Sequence, residues 1–155
     1  MGIKSKWIVR AIVESPFYIG LCLTENQFKN EMKRLRIPAQ EWPYWLANKN
    51  KAAAVHFFEQ LAGHDLCALV CIKEYDKEKD PNIIVGLLIH EAVHIWQHIC
   101  LELGETNPSS EFEAYSIQAI SQRLIAKYSE LASIKITKRK GEEEKDDTIH
   151  KTILQ

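Results

Sequence analysis

The sequence predicts an α+β domain, in which a small β-sheet from the N-terminal half is followed by two long helices. Three observations carry this reading. Residues 66–72 (Leu-Cys-Ala-Leu-Val-Cys-Ile) form a short, continuously apolar run after Gly63-His64-Asp65, the pattern of a buried strand. Residues 83–103 are apolar on most faces and end at Gly104, where a C-cap glycine belongs. Beyond a loop with Asn107-Pro108, a last helix to about Ser133 carries Ile117, Ile120, Leu124 and Leu131 on its apolar face.

The remaining elements come in chain order. Residues 6–13 are rich in Ile, Val and Trp and read as a short strand, with Pro16 as a break after it. Residues 17–23 are a second β-leaning run. Thr24, with Gln27 three residues on, fits a capping box. The helix it opens has Phe28, Met32 and Leu35 at helical spacing and stops at Pro38. Basic residues between Lys29 and Arg36 lie on that helix and read as its solvated face. Residues 39–51 form a loop whose Trp42, Pro43, Tyr44 and Trp45 are expected to pack over the core. Residues 52–60 fit a strand or a helix. Residues 76–82 are charged, contain Pro81 and read as a surface turn. Ser109 or Ser110 caps the last helix.

From Lys135 the chain becomes Lys-Arg-Lys-Gly-Glu-Glu-Glu-Lys-Asp-Asp, a composition that forms no core. The expected organisation is one domain over residues 1–134 and a charged, flexible tail over 135–155. A chain of 155 residues suits one domain with a sizeable core. The formal net charge of -1 offers no global basic field, so no nucleic-acid partner is expected. No secretory signal or membrane-spanning stretch is read, and a cytoplasmic location is expected. Cys22, Cys67, Cys71 and Cys100 include no CxxC pair and read as free thiols, with Cys67 and Cys71 lining one face of a strand.

The chemistry lies in the first long helix. His90-Glu91-Ala92-Val93-His94 is H-E-x-x-H. Residues four apart share a helix face, so two imidazoles converge on one tetrahedral metal. The glutamate beside the first histidine is placed to hold a water and take its proton. His90 and His94 are therefore the expected ligands of Zn2+, and Glu91 the general base. The alternative is a pair of core histidines satisfied by hydrogen bonds; burying two His and a Glu without partners is costly.

A catalytic zinc needs a third protein ligand and an open position. His98 continues the spacing, but along an unbroken helix it rises about 12 Å beyond His90 and cannot share the ion. A helix that broke after His94 to return a histidine would need a glycine near position 97, where Gln97 stands. The next helix offers Glu111 and Glu113 in its first turn. Periodicity favours Glu113, which stands in register with Ile117, Ile120 and Leu124.

The pairing of His90-Glu91-Ala92-Val93-His94 with Glu111-Phe112-Glu113-Ala114-Tyr115 resembles the gluzincin family of zinc peptidases. Over residues 86–124 the chain also looks like small phage- or prophage-encoded metallopeptidases. The resemblance implies a minimal zincin-like fold and a ligand glutamate three before an alanine. On that match Glu111 is the third ligand, Ala114 lets the helices approach, and Tyr115 stands where an acid or amide is usual.

What the resemblance implies is peptide-bond hydrolysis, with the substrate laid along a sheet edge beside the motif helix. Residues 66–72 are the candidate strand near the site. Tyr115, His56 and His64 are candidates for stabilising the oxyanion. A protein or peptide substrate is expected and no membrane partner. With no pro-segment evident, specificity is expected to be narrow. The competing expectation is a non-catalytic phage or prophage protein that keeps the zinc for stability and binds a host partner. The intact Glu91 favours catalysis, because a structural site has no need of it.

Overall fold

The computed structural model describes residues 15–46, 51–59, 66–73 and 80–132. In chain order these form β1 (Phe17–Cys22), α1 (Glu25–Arg34), a 3-10 turn (Ala39–Glu41), β2 (Ala53–Glu59), β3 (Leu66–Ile72), α2 (Pro81–Leu103) and α3 (Ser110–Leu131). The architecture is α+β, with a mixed three-stranded sheet in the order β1-β3-β2. β1 runs parallel to β3, and β2 antiparallel to it. The strand read at residues 6–13, the tail over 135–155 and His64 lie outside the described residues.

The sheet is the middle of three layers. Ala68, Val70 and Ile72 of β3 join the cluster built on α2 and α3, whereas Cys67, Leu69 and Cys71 join the one built on α1. Both faces of β3 are therefore covered, which is why its sequence is apolar without alternation. Residues 52–60, which fitted either element, form β2. Ala53, Val55 and Phe57 face the α2–α3 layer, and Ala54 and Phe58 face α1. β3, expected near the site, is the central strand; the sheet edge beside α2 is β2.

Local signals set most boundaries. Thr24 Oγ1 accepts the amide of Gln27 at 3.2 Å, while Gln27 Oε1 accepts from Leu23 at 2.7 Å, one residue before the cap. Phe28, Met32 and Leu35 are buried as the spacing predicts. α1 already ends at Arg34, and Arg36 turns left-handed at φ 59°, ahead of Pro38. Lys29 and Arg34 are exposed and pair with Glu25 and Glu31 on the same helix. Trp42 and Trp45 pack on the α1 side of the sheet, whereas Tyr44 is 84% exposed.

Pro81 opens α2 instead of marking a surface turn. Asp80 caps the helix, accepting the amide of Asn82 at 2.9 Å, and proline is favoured at the first helical position because its missing N–H has no partner there. At the other end Gly104 adopts φ 66°. Its amide reaches Leu101 at 3.2 Å and that of Glu105 reaches Cys100 at 2.8 Å, a Schellman closure. α2 has the length and composition of a membrane-crossing helix; here Leu88, Ala92, Ile95, Trp96 and Ile99 are buried in the core.

Ser109 caps α3, accepting from Phe112 at 3.4 Å. Leu131, expected on the apolar face, is 40% exposed; Tyr128, one turn after Leu124, takes the buried place. The two long helices form a hairpin, with Trp96 edge-on to Phe112 at 5.2 Å between ring centres.

Candidate metal centre

Four-residue spacing on the straight α2 brings His90 and His94 together. Their Nε2 atoms lie 3.1 Å apart, with the rings nearly perpendicular at 87°. Two nitrogens held by one tetrahedral zinc at about 2.0–2.1 Å would stand about 3.3 Å apart, so the donor pair fits the ion that the motif implies. His90 is exposed and His94 half-buried, which removes the core-pair alternative for them. His94 Nδ1 lies 3.2 Å from Gln97 Oε1. An amide oxygen only accepts, so this contact places the proton on Nδ1 and the lone pair on Nε2, the atom that faces His90. Gln97 sits three residues along the same helix face. That spacing signals the contact, although in the sequence Gln97 served only to exclude a helix break.

Glu91 points into the protein and is 4% exposed. Burial pushes its carboxyl above the ordinary range, opposed by positive charge at His90 and His94 and, further off, Lys51 and His56. A carboxylate made more basic by burial is a better proton acceptor near neutral pH.

The three residues open into a groove of about 660 Å³ between β2 and α2. Lys51 and β2 residues line one wall; Leu87, Gln97, His98 and Leu101 extend the other beyond the motif. Among the described residues no strand pairs with the outer edge of β2. His98 does not join His90 and His94; its ring stacks on Phe57, with centres 3.5 Å apart. Lys51 is a groove residue that sequence reasoning missed, having no motif to mark it.

The structure separates the two glutamates of α3. Glu113 Oε1 accepts the indole N–H of Trp96 at 3.3 Å. Glu111 has no such contact, and both carboxylates are exposed in the first turn. Neither carboxylate meets the histidine pair, and among the described residues no three His, Cys, Asp or Glu side chains converge on one point. Of the oxyanion candidates, Tyr115 is 66% exposed on α3. His56 lies on the opposite sheet face, its Nε2 3.1 Å from the carbonyl oxygen of Trp45 and its ring against Phe28.

No protein-family model, curated protein or solved structure matches the chain.

Proposed function

We propose that this protein is a zinc-dependent peptidase of minimal zincin type, with His90 and His94 as metal ligands, Glu111 as the third ligand that the sequence resemblance implies, and Glu91 as general base. The observation that carries the reading is the 3.1 Å approach of the two Nε2 atoms beside a buried Glu91, at the mouth of a groove along a sheet edge. The phage or prophage character belongs to the same proposal and rests on the sequence resemblance; the cytoplasmic location is proposed from the pattern of free cysteines.

Zinc bound in such a site lowers the pKa of a water to about 7 and polarises a carbonyl group. The chain's own residues do the rest. Gln97 orients the His94 ring, and the helix fixes His90 against it. β2 offers the backbone edge that no described strand covers to an extended peptide, which aligns the scissile bond along α2. The oxygen of a water bonds to the carbonyl carbon as Glu91 takes one of its protons. Glu91 then returns that proton to the nitrogen as the C–N bond breaks, and the second proton of the water passes from the new acid to the amine, leaving a carboxylate and an ammonium group.

Metal analysis of the purified protein tests the reading first. About one zinc per chain is expected, lost in His94→Ala and retained in Glu91→Gln. Cleavage of a mixed set of unfolded proteins and peptides should then be present in the wild type and absent in Glu91→Gln. Zinc without cleavage of any substrate would favour the protein that keeps its metal for stability. No zinc after reconstitution would remove the proposal.

A further inference from the structure

We propose that the groove selects extended polypeptide segments carrying an apolar side chain at its Phe57–His98–Leu101 end and a carboxylate at its Lys51 end. The inference rests on the reading of the site as a peptide-hydrolysing centre and adds what that centre would cut. It starts from the ends of the groove. Phe57 meets His98 face to face at one end, and Lys51, six residues earlier on the same wall, lines the groove with Leu87, His90 and Glu91. Residues 51–57 span about 20 Å as a strand, and residues 87–101 rise about 21 Å as a helix. The histidine pair falls between the ends, and about six extended residues would fill the length.

The two ends differ in chemistry. At one, the stacked rings of Phe57 and His98 are braced from behind by Phe17, whose ring meets each of them edge-on, at 5.5 Å and 6.4 Å. Leu101 stands beyond His98 on the same wall and is 72% exposed, an apolar side chain facing open groove. A rigid aromatic floor with an exposed aliphatic flank gains from covering by an apolar side chain and offers a charged one little. At the other end Ala52 and Ala53 leave room, and Lys51 is exposed. An ammonium there attracts a carboxylate, from an acidic side chain or a chain terminus, and repels Lys or Arg.

The test uses the zinc-loaded full chain and blocked ten-residue peptides randomised at single positions, with products read by mass spectrometry. Binding of fluorescently labelled peptides of the same sequences is measured in parallel by anisotropy. Peptides with Phe or Leu on one side of the cut and Asp or Glu on the other should be preferred. Leu101→Ser should reduce the apolar preference about tenfold, and Lys51→Glu should reverse the acidic one. Peptides with a free C-terminus distinguish a terminal carboxylate from an acidic side chain. Cleavage without these preferences, or with preferences that neither variant moves, overturns the inference and leaves the peptidase standing. Selective binding without cleavage sustains the groove's selectivity and removes the hydrolytic reading. Neither binding nor cleavage overturns both.

Discussion

The indole N–H of Trp96 donates to Oε1 of Glu113 across 3.3 Å, tying the motif helix to the first turn of α3. Periodicity favoured Glu113 over Glu111, and although Glu113 is exposed its carboxylate is engaged by this hydrogen bond. Glu111 has no hydrogen-bond or ion-pair partner among the described residues. Glu113→Ala should therefore keep its zinc, lose about 1 kcal/mol of stability and shift the Trp96 fluorescence. Glu111→Ala should lose zinc affinity at least about tenfold with little change in the metal-free protein. Titration of both variants with a zinc indicator checks this, and the opposite assignment of metal loss would make Glu113 the ligand.

Gln97 holds the His94 ring through Nδ1 at 3.2 Å. Removing such a partner typically costs about 10–100-fold in metal affinity, so Gln97→Ala should bind zinc that much more weakly. Gln97→Glu keeps an acceptor and should retain it. Equal affinity in all three proteins would mean that the contact does not orient the ring.

The pH dependence of stability has a definite sign at Glu91. Its carboxyl is raised in the folded state by burial. A raised folded value favours the protonated folded form, so its contribution is fully present at low pH and is lost as pH rises through that value. In the metal-free protein, wild type should lose stability relative to Glu91→Gln as pH rises from about 4 to 7. The variant should melt higher at neutral pH. Parallel melting curves across that range would show that burial does not govern this carboxyl.

Gly104 holds a left-handed conformation at φ 66°, and nothing stands within 4 Å of where a Cβ would be. The cost of Gly104→Ala is thus backbone strain alone, about 1–2 kcal/mol. Gly104→Asn should cost less, because Asn tolerates this region. Urea unfolding of the three proteins gives the comparison.

The thiols should react unequally. Cys22 and Cys71 are register partners on β1 and β3, both fully buried. A hydrogen bond shared with Cys22, and then burial, push the Cys71 thiol up, away from the reactive thiolate. Alkylation of the native protein should label Cys100, which is half-buried, well before Cys22, Cys67 or Cys71. Mass spectrometry over time reads the order.

Much of this was legible in the sequence because it depends on near neighbours. The H-E-x-x-H helix, the Thr24 cap, the Gly104 stop and the buried β3 are all set within a few residues. The path of the sheet is not. β2 is half-buried on both faces, so its alternation of small and aromatic residues matches neither period cleanly. Its place at the edge depends on β1 taking the other side of β3. The separate tasks of Glu111 and Glu113 were hidden for a similar reason, since they hinge on where the Trp96 ring lands across the helix hairpin. Lys51 is visible as a groove residue only once β2 lies against α2.

The strand order also bears on how the protein is made. Synthesis delivers β1 and β2 before β3, and among the described strands each pairs with β3 alone. Until residue 72 has been added, the early strands lack the described strand they pair with, and the Phe28 and Met32 side chains lack the Cys67, Leu69 and Cys71 part of the surface they pack on. Long-range pairing of this kind is slow and leaves strand edges open while it waits. A ribosome pausing just before the central strand would thus expose the nascent chain at its stickiest, and a chaperone would have most to offer at that point.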